Sequence, residues 1–174
     1  KAKWQLPNDR ALYALLTYSP EDYQFIIAGA PSLDASFYAQ FINNNVHLLL
    51  NKTYDLLSLS TAALVTSGTA TLETALYKVP QVVCYKGNRI SYEIAKRVIK
   101  LKYISLVNLI LDKPVVTELI QTEFNSKRLK EELTHILDDY HRAVLFLEYY
   151  DLENDLGGKG ASEKTAKLII EAIS

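Results

Sequence analysis

A chain of 174 residues with 49% hydrophobic and 22% charged side chains has the profile of one ordinary soluble domain, and at roughly 150 residues a domain already buries about two-thirds of the surface its unfolded chain exposes. Nineteen Lys+Arg against twenty Asp+Glu leave a formal net charge of −1, which argues against a nucleic-acid binder, because such domains carry a basic excess that neutralises phosphates. The single cysteine, Cys84, excludes an internal disulfide framework and a CxxC metal knuckle.

No apolar run approaches the ~18 residues needed to span a bilayer, and Lys1-Ala2-Lys3-Trp4 does not open a secretory signal. A chain that begins without methionine is expected to be a piece of a longer protein. Asn8 or Asp9 is placed to cap a first helix that ends at the turn cluster Ser19-Pro20-Glu21-Asp22. No strand or glycine-rich turn precedes that helix, although such a turn commonly starts a nucleotide-binding α/β domain, so a first strand, if one belongs, lies outside these residues.

Five short runs then read as strands: Tyr23 to Ala28, Val46 to Leu50, Ala62 to Thr66, Gln81 to Tyr85 and Tyr103 to Leu106. They are almost continuously apolar, as parallel strands buried on both faces must be, and the segments between them are long enough for crossover helices. Asp34 is placed to cap one such helix, which stops at Asn43-Asn44-Asn45. The fold class is α/β with a Rossmann-like parallel sheet. After about Lys113 the pattern turns helical: Leu129, Leu133, Ile136 and Leu137 share a face from Ser126 onward, and Ala161 to Ser174 repeats the pattern after a loop at Asp155 to Gly160. The expected organisation is one domain, an α/β core over residues 1–112 and a helical tail over 113–174.

The sharpest local signal is the strand-turn-helix run Ala62 to Glu73, with Ser67-Gly68-Thr69 at the turn. Backbone N–H groups at a helix N-terminus suit phosphate oxygens, and Gly68 permits close approach to the backbone. Glu73 lies one turn into the helix on the side of Thr69, where a carboxylate can accept two hydroxyl hydrogen bonds from a sugar. The alternative is that Ser67 or Thr69 simply caps the helix, and spacing alone leaves both readings open.

Other candidates are weaker. Tyr85-Lys86-Gly87-Asn88-Arg89 ends the next strand at the same sheet edge, and Lys96, Arg97 and Lys100 follow on a helix whose cations suit a phosphate, an anionic lipid surface or plain solvent. Asn108 stands just beyond a strand, where its amide can face a ligand or its own turn. His47 falls inside a strand, and His135 and His141 are six residues apart on helical segments, a spacing that does not share a face for a metal. Cys84 reads as a buried, inert thiol, and Phe146 with Tyr149-Tyr150 as core or as an exposed aromatic patch.

Three stretches together carry a resemblance. Ser67-Gly68-Thr69-Ala70-Thr71-Leu72-Glu73, then Lys96-Arg97 with Tyr103 to Leu109, then Gly157-Gly158-Lys159-Gly160-Ala161-Ser162 are similar, in order and spacing, to the C-terminal half of the lipid-A-disaccharide synthases. The resemblance covers about Ala62 to Ile170. It implies half of a two-domain GT-B fold that binds the UDP of a sugar donor. It further implies an inverting, metal-free transfer of 2,3-diacylglucosamine from its UDP carrier onto 2,3-diacylglucosamine 1-phosphate, at the cytoplasmic face of the bacterial inner membrane. Carried over, Ser67, Gly68 and Thr69 face the diphosphate, Glu73 holds the ribose hydroxyls, and Asn108 lines the cleft. The general base and most of the acyl-chain surface are then expected in an N-terminal domain outside these residues, and this chain alone is expected to bind UDP weakly and catalyse nothing. Val107 stands where the family usually has proline. Two other readings stay open: another UDP-sugar enzyme of the same architecture, such as a UDP-N-acetylglucosamine epimerase, and a non-catalytic nucleotide-sensing domain.

Overall fold

A computed structural model describes residues 23–87, 102–157 and 160–173; the expected first helix and the Asn88, Arg89, Lys96, Arg97 and Lys100 cluster lie outside them. The first described unit is β1 (Phe25–Gly29), α1 (Ala35–Tyr38) running into a 3-10 turn at Ala39–Phe41, and β2 (Val46–Leu50). Asp34 caps α1 as its position predicts, its carboxylate accepting the Ser36 N–H at 2.8 Å. β1 and β2 pair in parallel, Phe25 opposite Val46 through Gly29 opposite Leu50.

The chain continues through α2 (Thr53–Leu59), β3 (Ala63–Thr66), α3 (Thr69–Leu76) and β4 (Gln81–Tyr85), then α4 (Leu106–Leu111) and β5 (Thr117–Ile120). β3, β4 and β5 form a second parallel sheet with β4 central, Val65 opposite Val83 and Cys84 opposite Leu119. Three helices close the chain: α5 (Ser126–Leu137), α6 (Asp139–Asp155) and α7 (Ala161–Ile173).

The α/β class and the parallel pairing stand as predicted, with two corrections. Tyr103 to Leu106 is not a strand. The Ser105 hydroxyl accepts the Asn108 N–H and caps α4, while the Glu118 carboxylate takes the N–H groups of Ile104 and Ser105, so this backbone is committed to a helix entry and has no ladder to join. The fifth strand is Thr117–Ile120, beyond the expected boundary at Lys113, because that run reaches the free edge of β4.

Burial separates the two sheets. Val82 and Val83 of β4 are fully buried in one core with Leu129, Leu133 and Ile136 of α5, which packs on β4, and with Leu145, Tyr149 and Leu152 of α6, Val107 and Leu119. β1 alternates instead, Ile26 being 39% exposed, because β1 and β2 make a sheet of their own and the main core is built around β4. The helical pattern predicted from Ser126 holds, with Asn125 accepting the Arg128 N–H as cap. α7 forms where predicted, and its Leu168, Ile169, Ile170 and Ile173 are all more than half exposed. Among the described residues, no helix is long and apolar enough to cross a membrane.

Candidate functional site

The C-terminal end of β3 turns through Ser67 and Gly68 into α3, and Gly68 occupies the N-cap with φ 146° and ψ −163°. That conformation is essentially restricted to glycine. A Cβ built there would meet nothing within 4 Å, so the residue is required by its backbone angles, and the space in front of it is open. No side chain caps the helix. The Ser67 hydroxyl donates to the Ile104 carbonyl at 2.8 Å, and Thr69 is the first helical residue. The bland reading of Ser67 or Thr69 as a cap is therefore not what the fold does with them. The Thr71 N–H turns back to the Gly68 carbonyl at 3.1 Å, and the absence of a side-chain cap leaves the N–H groups of Thr69 and Ala70 as the first-turn donors that an anion could take.

The turn is held from behind by the entry to α4. Thr71 donates to the Gly68 carbonyl at 2.8 Å and accepts the Leu106 N–H at 3.3 Å, which fixes the two helix starts side by side. Glu118 on β5 anchors that entry, its carboxylate accepting the backbone N–H of Ser105 at 2.9 Å and an Asn108 amide N–H at 3.0 Å.

Asn108 sits at the centre of this support. It is 1% exposed, its amide nitrogen donates to the Val116 carbonyl at 2.9 Å, and its amide oxygen accepts the Val116 N–H at 2.9 Å. The structure thus brings Ser67, Gly68, Thr69 and Glu73 together on one turn and one helix face, and sets Asn108 behind them, engaged with backbone and with Glu118. Sequence reasoning missed Glu118, although a carboxylate inside the apolar run Val115 to Ile120 was a signal that it serves a local need.

Glu73 meets a residue with no sequence signal at all. The Tyr54 hydroxyl, from the first turn of α2, donates to its Oε1 at 3.0 Å, and the Tyr54 and Tyr77 rings stack with centroids 5.6 Å apart and planes 9° from parallel. The hydrogen bond to the Glu73 carboxylate, and the negative charge beside it, push the Tyr54 phenol above its ordinary value.

The remaining candidates sort by position. Cys84 is buried in β4, and burial pushes its thiol up to about 12, an inert group as expected. Tyr149 is fully buried while Tyr150 is 56% exposed under the Lys78 ammonium, so the pair divides between core and surface. His135 and His141 correct the expectation from spacing: α5 stops at Leu137 and α6 starts at Asp139, and this break brings the ring centroids to 3.6 Å. Two imidazoles on one zinc at about 2.0–2.1 Å per bond hold their ring centres further apart than that. Among the described residues no cluster of three or more His, Cys, Asp or Glu side chains suits a metal.

A strand opening through a glycine turn, with a carboxylate one turn into the helix, is the first of the three stretches that together carried the sequence resemblance. The family model described as lipid-A-disaccharide synthetase matches residues 16–170. The chain belongs to that family. It is 36% identical over 164 residues to the lipid-A-disaccharide synthase of Syntrophus aciditrophicus, an alignment covering 91% of this chain and 43% of the relative. The synthases of Geobacter metallireducens and Blochmanniella floridana are 33% and 37% identical, over 86% and 70% of this chain and 40% and 32% of theirs. The chain spans about two-fifths of the length of the curated synthases it matches.

Proposed function

We propose that this chain is the donor-binding half of an inverting glycosyltransferase that joins UDP-2,3-diacylglucosamine to 2,3-diacylglucosamine 1-phosphate, giving the lipid A disaccharide and UDP. The observation that carries the reading is the uncapped start of α3 at Gly68, with open space before it and Glu73 on the adjoining face. The family membership supplies the substrate class.

In this reading the N–H groups of Thr69 and Ala70 and the backbone at Ser67 and Gly68 bind the diphosphate, and Thr69 adds its hydroxyl. As the glycosidic bond to UDP breaks, negative charge grows on the leaving phosphate oxygen, and donors already aimed there stabilise it without reorganising. The Glu73 carboxylate accepts the ribose hydroxyls. Asn108 contributes from behind, through Val116 and Glu118, by holding the α4 entry against this turn. No metal or other cofactor is part of the proposal, since oriented N–H groups do the work a cation does elsewhere. The general base that activates the acceptor 6-hydroxyl belongs to the N-terminal domain of the complete protein, together with most of the acyl-binding surface. The complete enzyme works at the cytoplasmic face of the inner membrane as a peripheral protein, and the chain alone binds UDP weakly and is inactive.

The test is an NMR titration with UDP, and with ADP as control, on the protein and on Glu73→Ala. Saturable shifts for UDP alone, centred on Ser67 to Glu73 and weakened about tenfold or more by the substitution, are expected. A folded sample with no UDP shifts up to millimolar concentration, when the complete protein also shows none, overturns the assignment.

A further inference from the structure

Thr69 and Glu73 of α3 and Tyr77, its C-cap, recur at intervals of four and therefore lie along one side of the helix. Tyr54 lies across that side, donating to one Glu73 oxygen at 3.0 Å while its ring stacks flat on Tyr77. The ring is 53% exposed, so core packing does not explain where it sits. A neutral phenol holds a carboxylate without neutralising it, which a lysine or arginine partner cannot do, and a carboxylate offers about four acceptor positions, of which this bond uses one. Ten salt bridges join described residues, and none involves Glu73.

We infer that Tyr54 is a positioning residue for nucleoside recognition: it fixes Glu73 in one rotamer, with one carboxylate oxygen committed to the protein and the other presented to the ribose hydroxyls. The inference rests on the UDP reading of this site. A glutamate side chain free on a helix surface loses several rotamers when it binds, and a carboxylate already pinned by a stacked tyrosine has lost them beforehand. The ribose diol then meets a charged acceptor in place, and charge-assisted hydrogen bonds are the stronger kind.

Tyr54→Phe keeps the stack on Tyr77 and removes only the hydroxyl. Calorimetric titration of the unsubstituted protein, Tyr54→Phe and Glu73→Gln with UDP and with 2′,3′-dideoxyuridine diphosphate separates the roles, because the second nucleotide keeps base and phosphates and lacks the diol. Tyr54→Phe is expected to weaken UDP about 3- to 10-fold and to leave the dideoxy nucleotide unchanged. Glu73→Gln is expected to remove most of the difference between the two nucleotides. A Tyr54→Phe protein that binds UDP normally, or that loses both nucleotides equally, overturns the inference and leaves the UDP site standing. If neither the unsubstituted chain nor the complete protein binds either nucleotide, the UDP reading falls and this inference with it.

Discussion

Gly68 and Asn108 show two ways in which a residue shapes the candidate site without a side chain that reaches a ligand. Gly68 holds a backbone conformation that other residues adopt only under strain, and nothing crowds its missing Cβ. Gly68→Ala is therefore expected to cost about 1–3 kcal/mol through backbone strain alone, read as a lower denaturation midpoint with an unchanged slope. Asn108→Ala leaves the N–H and C=O of Val116 unpaired in a buried place and is expected to cost about 2–4 kcal/mol, measured in the same way. Cys84 gives a third residue-scale outcome. With its thiol pushed up to about 12 by burial, it stays protonated and unreactive toward a thiol reagent at pH 8 in the folded protein and reacts when the chain unfolds. Because the unfolded thiol ionises first, this group takes stability away as pH rises from near 9 toward about 12. Ser67 to Glu73 were legible in the sequence because strand, turn and helix follow one another along the chain. Tyr54 was not, since its partner stands 19 residues away.

Among elements, the break between α5 and α6 is set by one side chain. Asp138 ends α5 and caps α6, its carboxylate accepting the His141 N–H at 3.1 Å and facing the His141 ring nitrogen at 2.8 Å. The hydrogen bond from the His141 backbone, and then that from its ring, hold the Asp138 carboxyl below its ordinary value. A carboxyl lowered by folding contributes stability above the ordinary carboxylate range and loses it as pH falls through the folded value, below about pH 4. The melting temperature of Asp138→Ala should thus lie below that of the parent at pH 6, and the gap should narrow at pH 3. A gap of equal size at both pH values would assign the effect to something other than the carboxylate charge. The same break explains why spacing misjudged His135 and His141, since counting along one continuous helix assumes a turn angle that Asp138 interrupts. The exchange of Tyr103 to Leu106 for Thr117–Ile120 as the fifth strand has a similar cause: both runs are short and apolar, and only pairing with β4 distinguishes them.

At the scale of the whole molecule, stability is distributed unevenly. β4 lies at the centre of a three-stranded sheet in a core closed by α5 and α6, whereas β1 and β2 form a sheet of their own with exposed positions along each strand. Local opening costs least where few apolar groups are buried. Native-state hydrogen exchange should therefore give Val82 to Cys84 the slowest amides and β1 with β2 distinctly faster ones. Equal protection in the two sheets would show that they unfold as one unit. The uncapped turn of α3 borders the buried core around β4 and is tied to it through the entry of α4 and Glu118 of β5, so its amides too are expected to exchange more slowly than those of β1 and β2.

The sequence by itself determined what is local: four of the five predicted strands, the Asp34 cap, the helices from Ser126 and Ala161, and the glycine turn into α3 with Glu73 one turn on. These follow from hydrophobic period, capping chemistry and backbone conformation, which act over a few residues. Only the tertiary structure decided which runs pair, that the strands divide between two sheets, that Asn108 faces Val116 and Glu118, and that Tyr54 reaches Glu73. Each of these depends on groups distant along the chain meeting at hydrogen-bond distance, and apolar period and spacing along one chain do not encode the partner.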